Sequence, residues 1–338
     1  MEIKVSELKQ ALEIVKPGLS TTIGSIEQAT SFAFTKEGIS TYNDEICMTH
    51  PIANLGLQGA IEAELLYKFL SKVKSEKLEL SCEATEVVIK SGRSKATFNI
   101  SSEIKLPLED EQLTTKGKWK DLPKNFIEAI SMAKGCAAKD MIQAKLNCVH
   151  INKGGFVESS DGHRIFKWQL GDKLPLSTVL IPAASITAII RMNPTQVAKG
   201  EEWVHFKNSV GTVLSCRVVN DVFPDTVPHL AEGKNGVKVE FPKELISALD
   251  TAEIFAENSM VKITINKKKL TVTSDSQIAS FKETIELNEK AEPFAFQITP
   301  YLLKDILKQI TFCTIYKDRL IFKNEDWIYM TTLSIVEE

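Results

Sequence analysis

The chain has 338 residues, 43% hydrophobic and 25% charged, with a formal net charge of −3. That length exceeds what one core usually fills, so two or three domains are expected. No run of about 18 apolar residues occurs, so no helical membrane span is expected, and the charge balance excludes a wholly basic nucleic-acid binder while allowing positive charge gathered on one surface.

The N-terminus, MEIKVSELKQ, is amphipathic rather than basic and then apolar, which argues against export and for the cytoplasm. Val5, Leu8, Leu12 and Val15 line one face of a helix expected over 6–16, capped by Ser6 and closed by Pro17-Gly18. Residues 31–43 read as strand, turn at Lys36-Glu37-Gly38, strand. A second helix is expected over 62–74, then a strand series over 77–100 and a polar linker over 107–118. Leu122, Phe126, Ile130 and Ala133 mark a third helix over 123–138, with Pro123 at its first turn. Strands follow over 149–170, broken at Ser159-Ser160-Asp161-Gly162. The fourth helix, 183–192, stops at Asn193-Pro194, and a hairpin turns around 208–211. Residues 220–236 read as a second linker. Phe241, Leu245, Leu249 and Ala252 open the fifth helix; strands over 261–275 and 279–287, a sixth helix over 300–310, and strands over 313–322 and 327–335 complete the chain before an acidic tail.

The order helix, strands, helix, strands therefore occurs three times, with corresponding helices about 120 residues apart, too far for a solenoid repeat. The expected domains are 1–117, 118–232 and 233–338. Each helix has one apolar face and must pack on a sheet, so the fold class is α+β, with two helices on antiparallel sheet in every domain. Three like domains suggest a curved or closed assembly.

No phosphate-binding glycine loop, H-E-x-x-H or G-x-S-x-G is present, and His50, His150, His163, His205 and His229 lack metal-ligand spacing. No cofactor and no metal are expected. Cysteines 47, 82, 136, 148, 216 and 313 form no C-x-x-C and sit in apolar surroundings, so buried reduced thiols are expected. Asp161-Gly162-His163-Arg164 is the most chemical string. It could hold a phosphate or do acid–base work; it could equally be a tight turn with His163 and Arg164 as pocket walls. Asp44 and Asp275 stand at corresponding places, without the histidine and arginine.

Cations recur on the helices: Lys9 and Lys16; Lys68, Lys72 and Lys74; Lys124, Lys134 and Lys139; Arg191 and Lys199; Lys304 and Lys308. Such a set could meet DNA phosphates without reading sequence. Against it, the fifth helix sets Lys243 against Glu244, Asp250, Glu253 and Glu257, which suits a weak, sliding contact.

The three-domain plan with two helices per domain resembles the bacterial-type sliding clamp, the β subunit of the replicative DNA polymerase. The resemblance covers essentially the whole chain. Ser159 to Ile165 (S-S-D-G-H-R-I) is similar to the family's T-D-G-H-R-L, Ser91 to Lys95 (S-G-R-S-K) to its S-G-R-S-R, and Phe223-Pro224-Asp225 to its F-P-D. Trp327 to Ile335 stands in the place of its Y-V-V-M-P-M-R ending. The resemblance implies a head-to-tail homodimeric ring around double-stranded DNA, without catalytic activity, which tethers a DNA polymerase and is opened by a clamp loader. Arg93 then joins the DNA-facing cations. It also implies a partner-peptide pocket. Leu146, Ser160, Gly162, His163, Arg164 and Ile165 form one wall; Pro224, Thr226 and Val227 come from the linker; Ile328, Tyr329, Met330, Thr331 and Thr332 come from the last strand. Two departures suggest a divergent member, of the kind a virus or plasmid encodes: Thr331-Thr332-Leu333 replaces Pro-Met-Arg and makes the pocket rim more polar, and Ala183-Ala184 replaces a basic pair. Edge strands near 94–100 and 259–265 are the expected ring-closing segments. The rival readings are a phosphate-binding hydrolase centred on Asp161, His163 and Arg164, and an interaction scaffold that does not encircle DNA.

Overall fold

The computed structural model describes residues 1–335 apart from 23, 25, 54, 84, 111, 112, 114–118, 141, 172 and 234. The expected first domain boundary, part of the first linker and the acidic tail lie outside the described residues. The helices are α1 (Val5–Val15), α2 (Ala63–Lys72), α3 (Phe126–Cys136), α4 (Ala183–Met192), α5 (Val227–Leu230), α6 (Leu245–Phe255) and α7 (Tyr301–Leu307). Six match the expected pattern; α5 is a single turn inside the expected second linker. The strands pair antiparallel throughout, and the chain is α+β. None of the described helices is long and apolar enough to cross a membrane.

The start of α1 differs from expectation. Lys4, not Ser6, is its N-cap, and no side chain caps it. The strand Glu2–Lys4 runs straight into the helix, so Lys4 already has the extended backbone of a cap, and the Val5 N–H donates to the Glu76 carbonyl at 2.9 Å. α3 starts at Phe126, after a turn in which the Phe126 N–H donates to the Pro123 carbonyl at 3.1 Å.

Contacts divide the chain into two compact units: Met1–Ile127 with Lys173–Asn220, and Glu128–Asp172 with Asp221–Glu338. In the first, strands lie in the order Gly59–Glu62, Ser31–Phe34, Ile39–Tyr42, Ile46–His50, Val213–Arg217, Trp203–Lys207, Gln196–Lys199, Lys120–Asp121. A four-stranded sheet adds Glu2–Lys4, Lys77–Glu83, Glu86–Ser91 and, outermost, Ser94–Asn99. In the second unit the order is Cys148–Asn152, Phe156–Ser160, Arg164–Gln169, Trp327–Thr332, Arg319–Lys323, Phe312–Ile315, Val237–Glu240. A further sheet there holds Val261–Asp275, Ser280–Ile298 and Ser334–Ile335. Its main ladder runs in two stretches, 261–265 against 294–298 and 269–275 against 280–286, separated by register shifts.

Each unit thus repeats one plan. Ile46 pairs with Cys216 as Arg164 pairs with Thr331. The Arg217 N–H donates to the Glu45 carbonyl, and the Thr332 N–H to that of His163, both at 2.9 Å. One buried contact recurs in all three thirds. Thr41 Oγ1 donates to the Val15 carbonyl at 2.5 Å, Ser159 Oγ to Ala133 at 2.5 Å, and Ser274 Oγ to Ala252 at 2.7 Å. Each acceptor lies near the C-terminal end of α1, α3 or α6, where the last helical carbonyls run out of intrahelical donors. Thr41→Val and Ser159→Ala should each cost about 1–3 kcal/mol, because a buried carbonyl is left unmet. Urea unfolding of the single variants checks this; a loss under about 0.5 kcal/mol for both would refute it.

Candidate functional site

The DGHR stretch is a turn built by its aspartate. Asp161 Oδ1 accepts from the His163 and Arg164 N–H groups, each at 3.0 Å, and Gly162 sits at φ +90, where a side chain would be strained. In the first third Asn43 does the same for Glu45 and Ile46, at 3.1 and 2.8 Å. The counterparts of Asp161, two residues beyond each buried hydroxyl, are therefore Asn43 and Ser276, not Asp44 and Asp275. Asp44 instead stands where Gly162 does, at φ +72.

Arg164 is 2% exposed. Its Nε is 2.9 Å from Asp161 Oδ2, its Nη2 donates to the Gly135 carbonyl at 2.6 Å, and its guanidinium lies over the Tyr301 ring at 4.9 Å. Burial opposes its charge, but neighbouring Cys136, Tyr329 and Asp161 outweigh burial and hold its pKa above the ordinary arginine value. His163 is exposed, and among the described residues no side-chain hydrogen bond or ion pair involves its ring. The three residues therefore form a packed turn with no nucleophile–base pair, which weighs against a hydrolase.

The paired strands separate the expected pocket residues onto two faces, because directly opposed residues share a face and neighbours alternate. Arg164, Thr331 and Tyr329 share the face that meets α3 and α7; Tyr329 Oη donates to the Leu302 carbonyl. Ser160, Ile165, Ile328, Met330 and Thr332 share the other. There Ile165, Tyr316, Ile321 and Met330 make a buried apolar floor, with Leu230 and Ile328 partly buried against it. Tyr316, Ile321 and Leu230 were missed in the sequence. Only pairing of distant strands brings them together, and Leu230 lay in a stretch read as linker. Pro224 and Val227 stand exposed at the rim, while Thr226 is buried. Leu146 is half-buried in the turn after α3 and is not among the side chains packed on this floor. Thr331 is buried on the helix-facing side, its hydroxyl 3.4 Å from both the His163 and the Thr332 carbonyl, while the exposed Thr332 hydroxyl at the rim donates to the His163 carbonyl at 3.1 Å.

The first unit holds the corresponding floor in a different state. Cys47, the counterpart of Ile165, clusters with Ala33, Tyr42 and Trp203, and on this cluster pack Leu106 and Ile104, just ahead of the first linker, and Leu108 and Leu113 within it.

The helix cations are only partly free. Lys304 is held by Asp250 at 2.8 Å and Glu253 at 2.6 Å, Lys308 by Asp305 at 3.3 Å, Lys16 by Glu13 at 3.7 Å, and Lys68 by Glu64. Lys9 and Lys134 are half-buried; Lys72, Lys74, Arg93, Lys124, Lys139, Arg191 and Lys199 are exposed. None of these nine has an ion pair among the described residues. The described residues hold no metal-ligating cluster. Five cysteines are buried, and burial pushes the thiols of Cys47, Cys136 and Cys148 up to about 12; Cys82 departs from expectation and is exposed. Burial pushes His205 down to about 4; its Nδ1 is 2.7 Å from Ser215 Oγ, so it is a core histidine.

Arg164→Met should cost about 2–4 kcal/mol by stranding Asp161 and the Gly135 carbonyl, while His163→Ala should stay within about 0.5 kcal/mol. Denaturant unfolding of the two variants separates a turn held by Arg164 from one that depends on the imidazole.

No family sequence model and no curated protein sequence matches the chain. Solved structures do. A sliding clamp of Pseudomonas aeruginosa bound to griselimycin superposes at TM-score 0.84 and 15% identity, covering 99% of each chain. The DNA polymerase III β chain of Streptococcus pneumoniae gives 0.82 at 18% identity, and the β subunit of Thermotoga maritima 0.80 at 19%, each again covering 99% of both chains. At these identities the likeness is one of fold, and the chain has the fold of the bacterial DNA polymerase III β sliding clamps.

Proposed function

We propose that the chain is a non-catalytic DNA sliding clamp. In this reading its clamp domains are 1–117, 118–232 and 233–338, and it works in the cytoplasm. Two copies close head to tail around duplex DNA, and a DNA polymerase and a clamp loader dock through short peptides.

The observation that carries the reading is an incomplete repeat. Two strand pairings join consecutive thirds, Ile46–His50 with Val213–Arg217 and Arg164–Gln169 with Trp327–Thr332. By the same order, the counterpart strands left over are Ser94–Asn99 and the 280–286 stretch. Each has a strand on one side only among the described residues. Pairing 94–99 of one copy with 280–286 of another would continue the pattern and close it. The 261–265 stretch expected for this role also has a strand on one side only, 294–298, and it is the order of the repeat that favours 280–286. The uncovered cations would supply weak, sequence-independent attraction to phosphates, suited to a clamp that moves along DNA.

The repeat also supports the peptide reading. The first unit's floor is filled by its own linker leucines. Among the described residues, the floor of Ile165, Tyr316, Ile321 and Met330 carries Leu230 and Ile328 alone, which suits apolar anchors from a partner.

The test is retention on DNA. The protein is mixed with nicked circular DNA at a concentration that drives pairing, then gel-filtered at moderate salt. A clamp stays on the circle and leaves when the circle is cut. Equal loss from circle and line would mean ordinary electrostatic binding, and no retention on either would favour the interaction scaffold.

A further inference from the structure

Segment 221–230 crosses the face of the second unit's sheet that bears the apolar floor. Val222, Pro224 and Val227 point outward; Phe223 and Thr226, 8% and 4% exposed, point in. Both meet one buried cluster. Glu158, 3% exposed, sits at its centre on Phe156–Ser160. Its Oε1 is 2.7 Å from His150 Nδ1 on one neighbouring strand. Its Oε2 accepts from Thr226 Oγ1 at 2.6 Å and is 3.4 Å from Lys167 Nζ on the other. Phe223 stacks on the His150 ring at 5.0 Å, and Lys167 Nζ lies 3.9 Å from the Phe156 ring centre.

A carboxylate is tolerated inside a protein only where its oxygens are met. Here three separate elements each bring a partner. The sheet itself does not require this charge. The corresponding positions in the first unit are Ser40, Thr49 and Phe32, where Ser40 Oγ and Thr49 Oγ1 share one hydrogen bond at 2.9 Å. The counterpart in the last third is Thr273. The ionic cluster occurs only in the copy crossed by segment 221–230. The first linker, by contrast, is held by leucines.

We propose that Glu158 is a positioning residue for the apolar groove: it fastens segment 221–230, one wall of that groove, to the sheet, and the wall loosens when the carboxylate is removed or protonated. The assignment of a groove wall rests on the peptide-binding reading above; the fastening itself does not.

The titratable groups facing Glu158 are His150 from Cys148–Asn152 and Lys167 from Arg164–Gln169. Trp327–Thr332 brings only Ile328, opposite Lys167. Segment 221–230 brings the Thr226 hydroxyl, its own Asp221 and Asp225 being exposed. Burial acts to raise the pKa of Glu158, but hydrogen bonds from His150 and Thr226, with the charge of Lys167, outweigh it and leave the pKa below the usual carboxylate value. A depressed carboxylate pKa stabilises the folded form above the ordinary carboxylate range, and that contribution is lost as pH falls through the folded value.

Amide hydrogen exchange of the full chain, read by mass spectrometry, tests the proposal. Glu158→Gln and Thr226→Val should each speed exchange at 222–230 by about tenfold, and the double variant no further, with Trp203–Lys207 unaffected. Relative to intrinsic rates, acidification should speed exchange of the segment in the unaltered chain and leave Glu158→Gln flat. Unchanged exchange in both single variants, effects that multiply in the double, or acceleration that spreads to the first unit would each overturn it. A synthetic peptide of residues 102–113, carrying Leu106 and Leu108, should slow exchange at 222–230. If the fastening behaves as stated and this peptide has no effect, Glu158 keeps its role and the peptide reading of the groove falls.

Discussion

Three buried hydroxyls hold the architecture together. Thr41, Ser159 and Ser274 each donate to a carbonyl near the C-terminal end of a helix. Such a carbonyl has no donor left along its own helix, and the interior offers it no water. The strand that supplies the hydroxyl is then locked to the helix in one register. Because strand residues alternate faces, that register decides which side chains meet the helices and which meet the opposite side. The turn two residues on, built by Asn43 or Asp161, begins the strand that pairs with the next third, and the turn at Ser276 leads into the 280–286 stretch.

From this shared frame the copies diverge. Where the first third has Ile46, the second has Arg164, which packs against Asp161, the Gly135 carbonyl and Tyr301. A string that looked catalytic is thereby turned toward the protein interior, and its histidine is left outside. On the other face, one floor is sealed by leucines and the other is bordered by a segment tied down by charge. Apolar packing depends little on pH, whereas a buried carboxylate loses its contribution when acid protonates it. The two linkers therefore differ in kind, although the sheets beneath them follow one plan.

The charge distribution follows the same economy. A net charge of −3 leaves no general attraction to a polyanion. α6 and α7 neutralise one another through Lys304 with Asp250 and Glu253, and the uncovered cations are spread along the chain rather than gathered in one motif. In the clamp reading such a pattern would give modest phosphate attraction without a tight local site, so long residence on DNA would have to come from closure rather than from affinity.

Periodicity in the sequence was enough to establish the α+β class, the threefold repeat and six of the seven described helices, because an apolar stripe every three to four residues records which side of a helix is buried. The DGHR turn was legible for a related reason: aspartate and glycine act locally, through bonds to residues two and three away. The floor of the groove was not legible. Ile165, Tyr316, Ile321 and Met330 meet only because strands far apart in the chain pair, and no local pattern encodes which face each presents. The same holds for the cap at Lys4, set by the strand before it, and for Glu158, an ordinary glutamate in the sequence whose histidine, lysine and threonine come from three separate elements. Local chemistry is written in adjacent residues; long-range register is decided by the closing of the sheet.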